Sequence, residues 1–373
     1  MIKERNKAQT NAIAALFVLF GFLWGTAAAV AHKQQPAKKT QTQSSFRFSH
    51  TICKFFTDDE LSKCAQQKEP TIVWEKTSVD PFSELIVSWN ALRPAHGFLT
   101  VWVSVKHSGS WSRWHRLAQW GKSFQRTFVN KLGIYVHTKH CRIEMQRHSL
   151  ARGFRVKAVF KKGADPKQFK ALFACASRPN QFKVVKPLLS LPSVAIKGVP
   201  RQSQMVLNHP RHRDLCSPVS LSMIAAYFNQ TLFKNPLSGS MHDYAVNFAE
   251  KVHDQGYLDI YGNWILNVAQ AFNENNGEVF FRVERLNSFY DLHHYLAKKL
   301  PVAVSVRRLR GGATPYAMGH LLVVIGWNRQ KRCVLCLDPA FPNNRAVLKA
   351  YPLMAFLRAW GRSSNLAYVP MLR

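Results

Sequence analysis

The sequence predicts two folded regions of different class, an all-β, sandwich-like module followed by an α+β domain. Three observations predict this. The first half is built of short stretches with period-two hydrophobicity, the second half places helical patterns before strand patterns, and a proline-bearing stretch, Pro187–Pro200, lies between them. At 373 residues, 47% of them apolar, the chain has the length and composition for about two domains of roughly 100–200 residues each.

The first residues read as a targeting segment. Lys3, Arg5 and Lys7 open the chain, Ile13–Gly25 is continuously apolar, and Ala29-Val30-Ala31 is an Ala-x-Ala cleavage pattern. Residues 1–31 are therefore read as a signal peptide, with an uncleaved membrane anchor as the alternative, since Ala12 to Ala31 carries no charge. Either reading exports the bulk of the protein, to the periplasm or the medium. Residues 32–49, rich in Gln, Lys, Ser and Thr, are a polar linker.

The β-module is assigned to residues 50–186. In Leu99–Val105, Leu99, Val101, Val103 and Val105 alternate with Thr100, Trp102 and Ser104, and Phe154–Phe160 repeats the pattern. Glu84–Asn90 and Tyr135–Glu144 are further strand candidates. Residues 187–373 form the second domain, with helices expected at Ser217–Asn229, Met241–Asp254, Asn263–Asn275 and Ser288–Leu300. The last of these opens with Ser288 and Asp291 in capping-box spacing. Strands follow at Glu278–Glu284, Val302–Arg307, His320–Trp327, Arg332–Leu337 and Arg345–Tyr351.

Charge and cysteine content narrow the setting. Fifty-two Lys and Arg against 20 Asp and Glu give a formal charge of +32. Between Leu85 and Arg213 only Glu144 and Asp165 are acidic. Such a stretch is drawn to anionic envelope or membrane surfaces. The plainer reading is a solvated basic face, and no phosphate loop or nucleic-acid motif accompanies the charge, which makes nucleic acid the weaker partner. Trp74, Trp89, Trp102, Trp111, Trp114 and Trp120 are read as core packing or as a carbohydrate-stacking surface. Seven cysteines in an exported chain leave at least one thiol unpaired. Cys53/Cys64 and Cys141/Cys175 are candidate disulfides, Cys333 and Cys336 read as buried strand residues, and Cys216 is the free thiol of interest.

Cys216 precedes Pro218 and the apolar run Val219–Phe228, at the mouth of a buried helix. A helix N-terminus and a nearby imidazolium both favour a thiolate, and the N–H groups of the first turn suit an oxyanion. The plainer reading is an inert buried cysteine. His320 and Asp338 lie downstream, and Asp338 is the only acidic residue after Asp291. A hairpin with its loop at Trp327–Lys331 sets Gly326 against Arg332 and His320 directly opposite Asp338, within imidazole–carboxylate reach. Leu309–Gly319 is read as a loop bordering the cleft, with Arg307, Arg308 and Arg310 leading into it. Trp264, Ser217 and Gly319 are weaker substrate-binding candidates.

The blocks Gln204 … Cys216-Ser217-Pro218-Val219-Ser220, Gly319-His320-Leu321-Leu322-Val323-Val324-Ile325-Gly326 and Asp338-Pro339-Ala340 resemble the bacteriocin-processing-peptidase-like family of papain-like cysteine peptidases. The resemblance spans Ile196 to Trp360. It implies a papain-like fold, Cys216 as nucleophile, His320 as base then acid, Asp338 as its orienting residue, and Gln204 with the Cys216 N–H as oxyanion hole, without metal or cofactor. Gln202 competes with Gln204, and Ser217 stands where such enzymes commonly carry glycine. The β-module resembles the accessory domain that precedes such peptidase domains in some exported bacterial proteins. The expected activity is peptide hydrolysis. A cell-envelope amidase or transferase, or a non-catalytic envelope-binding protein, is the alternative.

Overall fold

The computed structural model describes residues 47–131, 133–184, 190–235, 237, 239–313 and 319–373. The expected signal peptide and most of the linker lie outside the described residues, as do parts of Pro187–Pro200 and of Leu309–Gly319.

The first half runs β1 (Ser49–Phe55), α1 (Asp58–Ala65), β2 (Thr71–Lys76), β3 (Glu84–Ala91), β4 (Phe98–His107) and β5 (Ser110–Trp111). It continues through β6 (His115–Gly121), β7 (Gln125–Thr127), β8 (Val136–Lys139), β9 (Arg142–Met145), β10 (Gly153–Lys161) and β11 (Phe169–Ser177). One antiparallel sheet has the order β1-β11-β3-β9-β8, and the other β2-β10-β4-β6-β7, with β5 on β4. Their apolar faces meet where Trp89 touches Trp120, ring centroids 6.2 Å apart, and Phe160 touches Phe169 at 5.7 Å. The alternation read in Leu99–Val105 is the physical basis of β4: Leu99, Val101, Val103 and Val105 are all at most 2% exposed. Tyr135–Glu144 resolves into two strands, β8 and β9, which pair as a hairpin.

The second half contains β12 (Val194–Ala195), α2 (Cys216–Thr231), α3 (Met241–Glu250), α4 (Trp264–Glu274), β13 (Val279–Arg285), α5 (Phe289–Ala297) and β14 (Val302–Val306). It closes with β15 (His320–Asn328), β16 (Cys333–Leu337), β17 (Leu348–Pro352), α6 (Leu353–Gly361) and β18 (Leu366–Leu372). The sheet order is β13-β18-β14-β15-β16-β17, with β12 on β15. The C-terminal strand thus inserts between β13 and β14, and helices alternate with strands rather than simply preceding them. Ser288 and Asp291 form the capping box at the start of α5. Helix α2 is buried from Ser217 through Phe228, which is why its sequence is apolar all round rather than amphipathic. Gly326 has a steric reason: a Cβ there would collide with the Val194 carbonyl where β12 crosses β15.

The halves on either side of the expected interdomain connection share an extensive polar seam. All described residues fall in one compact unit. The Asn90 side chain pairs with both backbone groups of Phe281, at 2.7 and 2.8 Å. Arg93 donates to Gly121 O, Lys251 O and Gln270 Oε1. Asp254, fully buried, accepts from Thr127 N and Oγ1. Glu84 of β3 accepts from Arg285 of β13 at 2.6 and 3.1 Å and pairs with Arg142 at 3.1 Å. Burial pulls the Glu84 pKa up, but the charges of Arg285 and Arg142 hold it below the ordinary value.

All seven cysteines are free thiols, which corrects the two expected disulfides. Cys53 is exposed on β1 whereas Cys64 is buried on α1, and Cys175 is instead in contact with Ser49 Oγ at 3.2 Å.

Removing Glu84 would leave the buried Arg285 guanidinium without a counter-charge from that residue, with only the carbonyls of Ser363 and Ser364 still accepting from it. Glu84→Ala is expected to lower stability by about 3–5 kcal/mol. Urea unfolding followed by tryptophan fluorescence and by far-ultraviolet circular dichroism should shift as one transition, because the seam couples the halves. Separate transitions would show that it does not.

Candidate active site

Cys216 is the first residue of α2 and half-buried, with its thiol at the N-terminal end of the helix. The preceding residue, Leu215, supplies no side-chain cap, so no side chain at that position occupies the first-turn N–H groups. Pro218 sits in the first turn, where a missing N–H costs no helical hydrogen bond.

His320 opens β15, opposite Val306 of β14, and Asp338 follows directly after β16. The hairpin between them differs from the predicted one. Asn328 pairs with Cys333 and Gly326 with Leu335, so the loop is Arg329–Arg332, and the register then shifts by one residue between Val324 and Gly326. Val323 faces Leu337. Continuing that count sets Asp338 opposite Leu322, two positions from His320 and on the same face of the sheet. Without the bulge Asp338 would stand opposite Val323, and its side chain would leave through the other face. The two residues therefore meet diagonally, not as direct cross-strand partners.

The imidazole Nε2–H of His320 donates to Asp338 Oδ1 at 2.7 Å, and the ring also hydrogen-bonds with Cys216. His320 is 2% exposed and Asp338 fully buried. Burial alone pulls the His320 pKa down. The charge and hydrogen bond of Asp338, together with Cys216, override it and raise the value from 6.5 to about 10. For Asp338 burial pulls upward, and His320, Tyr351 and the Ala340 N–H outweigh it and hold the carboxyl below its ordinary range. The Tyr351 hydroxyl donates to Asp338 Oδ2 at 2.6 Å, and Ala340 N–H donates to Oδ1 at 3.1 Å. Tyr351 was not singled out from the sequence, because only the pairing of β17 with β16 brings it to Asp338.

Gln204 reaches the neighbourhood of Cys216 through the segment after Asp338. Its backbone N–H donates to Pro339 O at 2.8 Å, and Ser203 is stitched to Asn344 Oδ1 and to Phe341 O. The Gln204 side chain donates to the carbonyl of Arg213, three residues ahead of Cys216. Gln202, the competing residue, is also buried and donates to Ser203 O. Ser217 turns inward: it is fully buried, with its hydroxyl 2.9 Å from that of Tyr368. Trp264 lies under the Arg142 guanidinium, 5.2 Å from the ring centroid, at the seam of the two halves. Gly319 immediately precedes His320 with φ of +125°, a conformation that favours glycine.

Four of the other thiols are made harder to ionise by burial. Burial pushes Cys141 up to about 12 and raises Cys64, Cys175 and Cys336. Among the described residues no group of His, Cys, Asp and Glu is arranged to hold a metal ion.

A family model described as the Peptidase_C39 like family matches residues 196–368. The C-terminal region is similar to that family. A second model, described as the Peptidase C39 N-terminal domain, matches residues 33–133. The chain is thus a cysteine peptidase-like hydrolase with a β-rich N-terminal region. Among solved structures, a C39-like peptidase from Bacillus anthracis is similar at 14% identity and TM-score 0.36, over 49% of this chain and 98% of that one. Xylellain, a cysteine protease from Xylella fastidiosa, is similar at 12% identity and TM-score 0.26, over 52% of this chain and 92% of that one. No curated protein matches.

Tyr351→Phe removes a hydrogen bond to a buried, ionised carboxylate and is expected to cost about 1.5–3 kcal/mol at neutral pH. Because Asp338 has a depressed pKa, that contribution is present above the ordinary value of 3.8 and fades as pH falls through the depressed one. Urea midpoints at pH 7 and pH 3 would check this; an equal loss at both would sever Tyr351 from the charge on Asp338.

Proposed function

We propose that the protein is an exported peptidase that cleaves a peptide bond through Cys216, His320 and Asp338. The observation that carries this reading is the connected chain from the thiol at the mouth of α2, through the imidazole, to a buried and triply hydrogen-bonded carboxylate. The Cys216 thiolate attacks the scissile carbonyl carbon, and the carbonyl π electrons move to oxygen. The Cys216 N–H and the Gln204 amide stabilise that oxyanion; the Gln204 nitrogen has a second hydrogen beyond the one given to Arg213. His320 then passes its proton to the departing amine as the C–N bond breaks, leaving a thioester. Water, deprotonated by His320, attacks the thioester carbonyl, and the C–S bond breaks to release the acid and restore the thiolate.

Asp338 fixes the imidazole tautomer that presents Nδ1 to the thiol side and favours the imidazolium. The cationic residues Arg307, Arg308 and Arg310 favour acidic residues in the substrate. Export rests on the charged start, apolar run and Ala-x-Ala pattern of residues 1–31. No helix among the described residues is long and apolar enough to cross a membrane.

The thiol can be tested without a substrate. Cys53 is the one other cysteine that is not buried, so a Cys53→Ser background isolates Cys216. In that background iodoacetamide at pH 6 is expected to label Cys216 faster than the same thiol in the urea-denatured protein. His320→Ala should slow labelling by at least tenfold, on the order of the effect of losing a paired imidazolium. In Asp338→Asn the charge that chiefly opposes burial at His320 is lost, so its pKa is expected to fall from the parent value and the rate enhancement to be lost at a lower pH than in the parent. Labelling at the denatured-state rate in the parent would remove the mechanism.

A further inference from the structure

A second site lies in the β-rich N-terminal region. A cavity of about 440 Å³ opens between the β5–β6 segment of one sheet and the residues leading into β8 of the other. Its lining includes His107, Trp111, Arg113, His115, Ile134 and Tyr135. We propose that this cleft binds an acidic sugar unit of a glycan, with the ring against Tyr135 and Ile134, hydroxyls on His115, and the anionic substituent on Arg113.

Three features point to that ligand. His115 is 98% buried from solvent, being 2% exposed, and neither ring nitrogen has a hydrogen-bond partner. Two orphaned nitrogens at that depth are costly unless a ligand group meets them. Burial, with the charges of Arg113 and His137, lowers the His115 pKa to about 4, so the ring is neutral near pH 7. A neutral imidazole offers one donor and one acceptor, a match for hydroxyl groups, each of which both donates and accepts. A phosphate or carboxylate alone would use only the donor.

The second feature is exposed apolar surface at the same place. Ile134 is 60% and Tyr135 45% exposed, an uncommon pair side by side on a basic surface. Tyr135 is tilted against the His107 ring at 5.2 Å, and His107 is itself tied to Leu150 O at 3.0 Å, so the platform is held in place. An aromatic side chain fixed this way suits the apolar face of a sugar ring. The third feature is charge. Arg113 is exposed, no carboxylate lines the cleft, and Arg155 and Lys106 stack on Trp111 at 4.8 and 6.0 Å. A neutral sugar would leave this positive field unused.

The test is calorimetry on the full chain with an oligogalacturonide, its neutral methyl-esterified counterpart, and a single-stranded thymidine oligonucleotide. The expected result is binding of the acidic glycan that weakens with salt, and that drops roughly tenfold in Tyr135→Ser and again in Arg113→Gln. Both altered residues are exposed, so folding is not at stake, and His115 ring resonances should move on saturation. The proposal is overturned if the oligogalacturonide does not bind, if both variants bind as the parent does, if the neutral glycan binds equally well, or if the oligonucleotide binds more tightly. The readout is binding rather than cleavage, so none of these results bears on the Cys216 mechanism.

Discussion

The second half of the molecule depends on one buried carboxylate. Asp338 has no solvent exposure, and an unpaired charge at such a position costs several kcal/mol. Its partners come from three places: His320 from β15, Tyr351 from β17, and Ala340 from the turn that follows. Satisfying this one group therefore fixes the orientation of the histidine, the packing of β17 on β16, and the start of the segment 339–344. That segment in turn holds Ser203 and Gln204 beside the entrance of α2. The same low-polarity surroundings that make the charge expensive also strengthen its hold on the imidazolium.

The N-terminal sheets are structurally committed to this arrangement rather than appended to it. β3 meets β13 through Asn90, Ser88 and the Glu84–Arg285 pair, while Thr127 meets Asp254 at the other end of the seam. The seam is polar and hydrogen-bonded, so breaking one partner of a buried pair leaves the other unsatisfied. The outer surface of this region is basic and carries aromatic rings. There the excess of Lys and Arg stacks on aromatic rings, as Arg155 does on Trp114 and Arg116 on Phe128.

Local features of the chain were legible wherever local physics decides them. β4 and β10 follow from period-two alternation, α5 from its capping box, and α2 from an apolar run behind a proline. The joint presence of Cys216, His320 and Asp338 was legible for the same reason, since each sits at the end of such an element. What depends on distant pairing was not. The insertion of β18 between β13 and β14 leaves no mark in residues 366–372, and Tyr351 acquires its role only through sheet order. The hairpin count reached the right neighbours through the wrong register: the loop was placed early, and the bulge near Ile325 restored the face. Candidate disulfides follow from an exported setting, which does not fix pairing, whereas Cys53 is exposed and Cys64 buried.

The most direct measurement is an NMR titration of the His320 imidazole, assigned with His320→Gln. The ring is expected to stay protonated well above its ordinary pKa of 6.5 and to release its proton near pH 10. A neutral His320 at pH 8 in the folded protein would contradict the pairing on which the proposed chemistry rests.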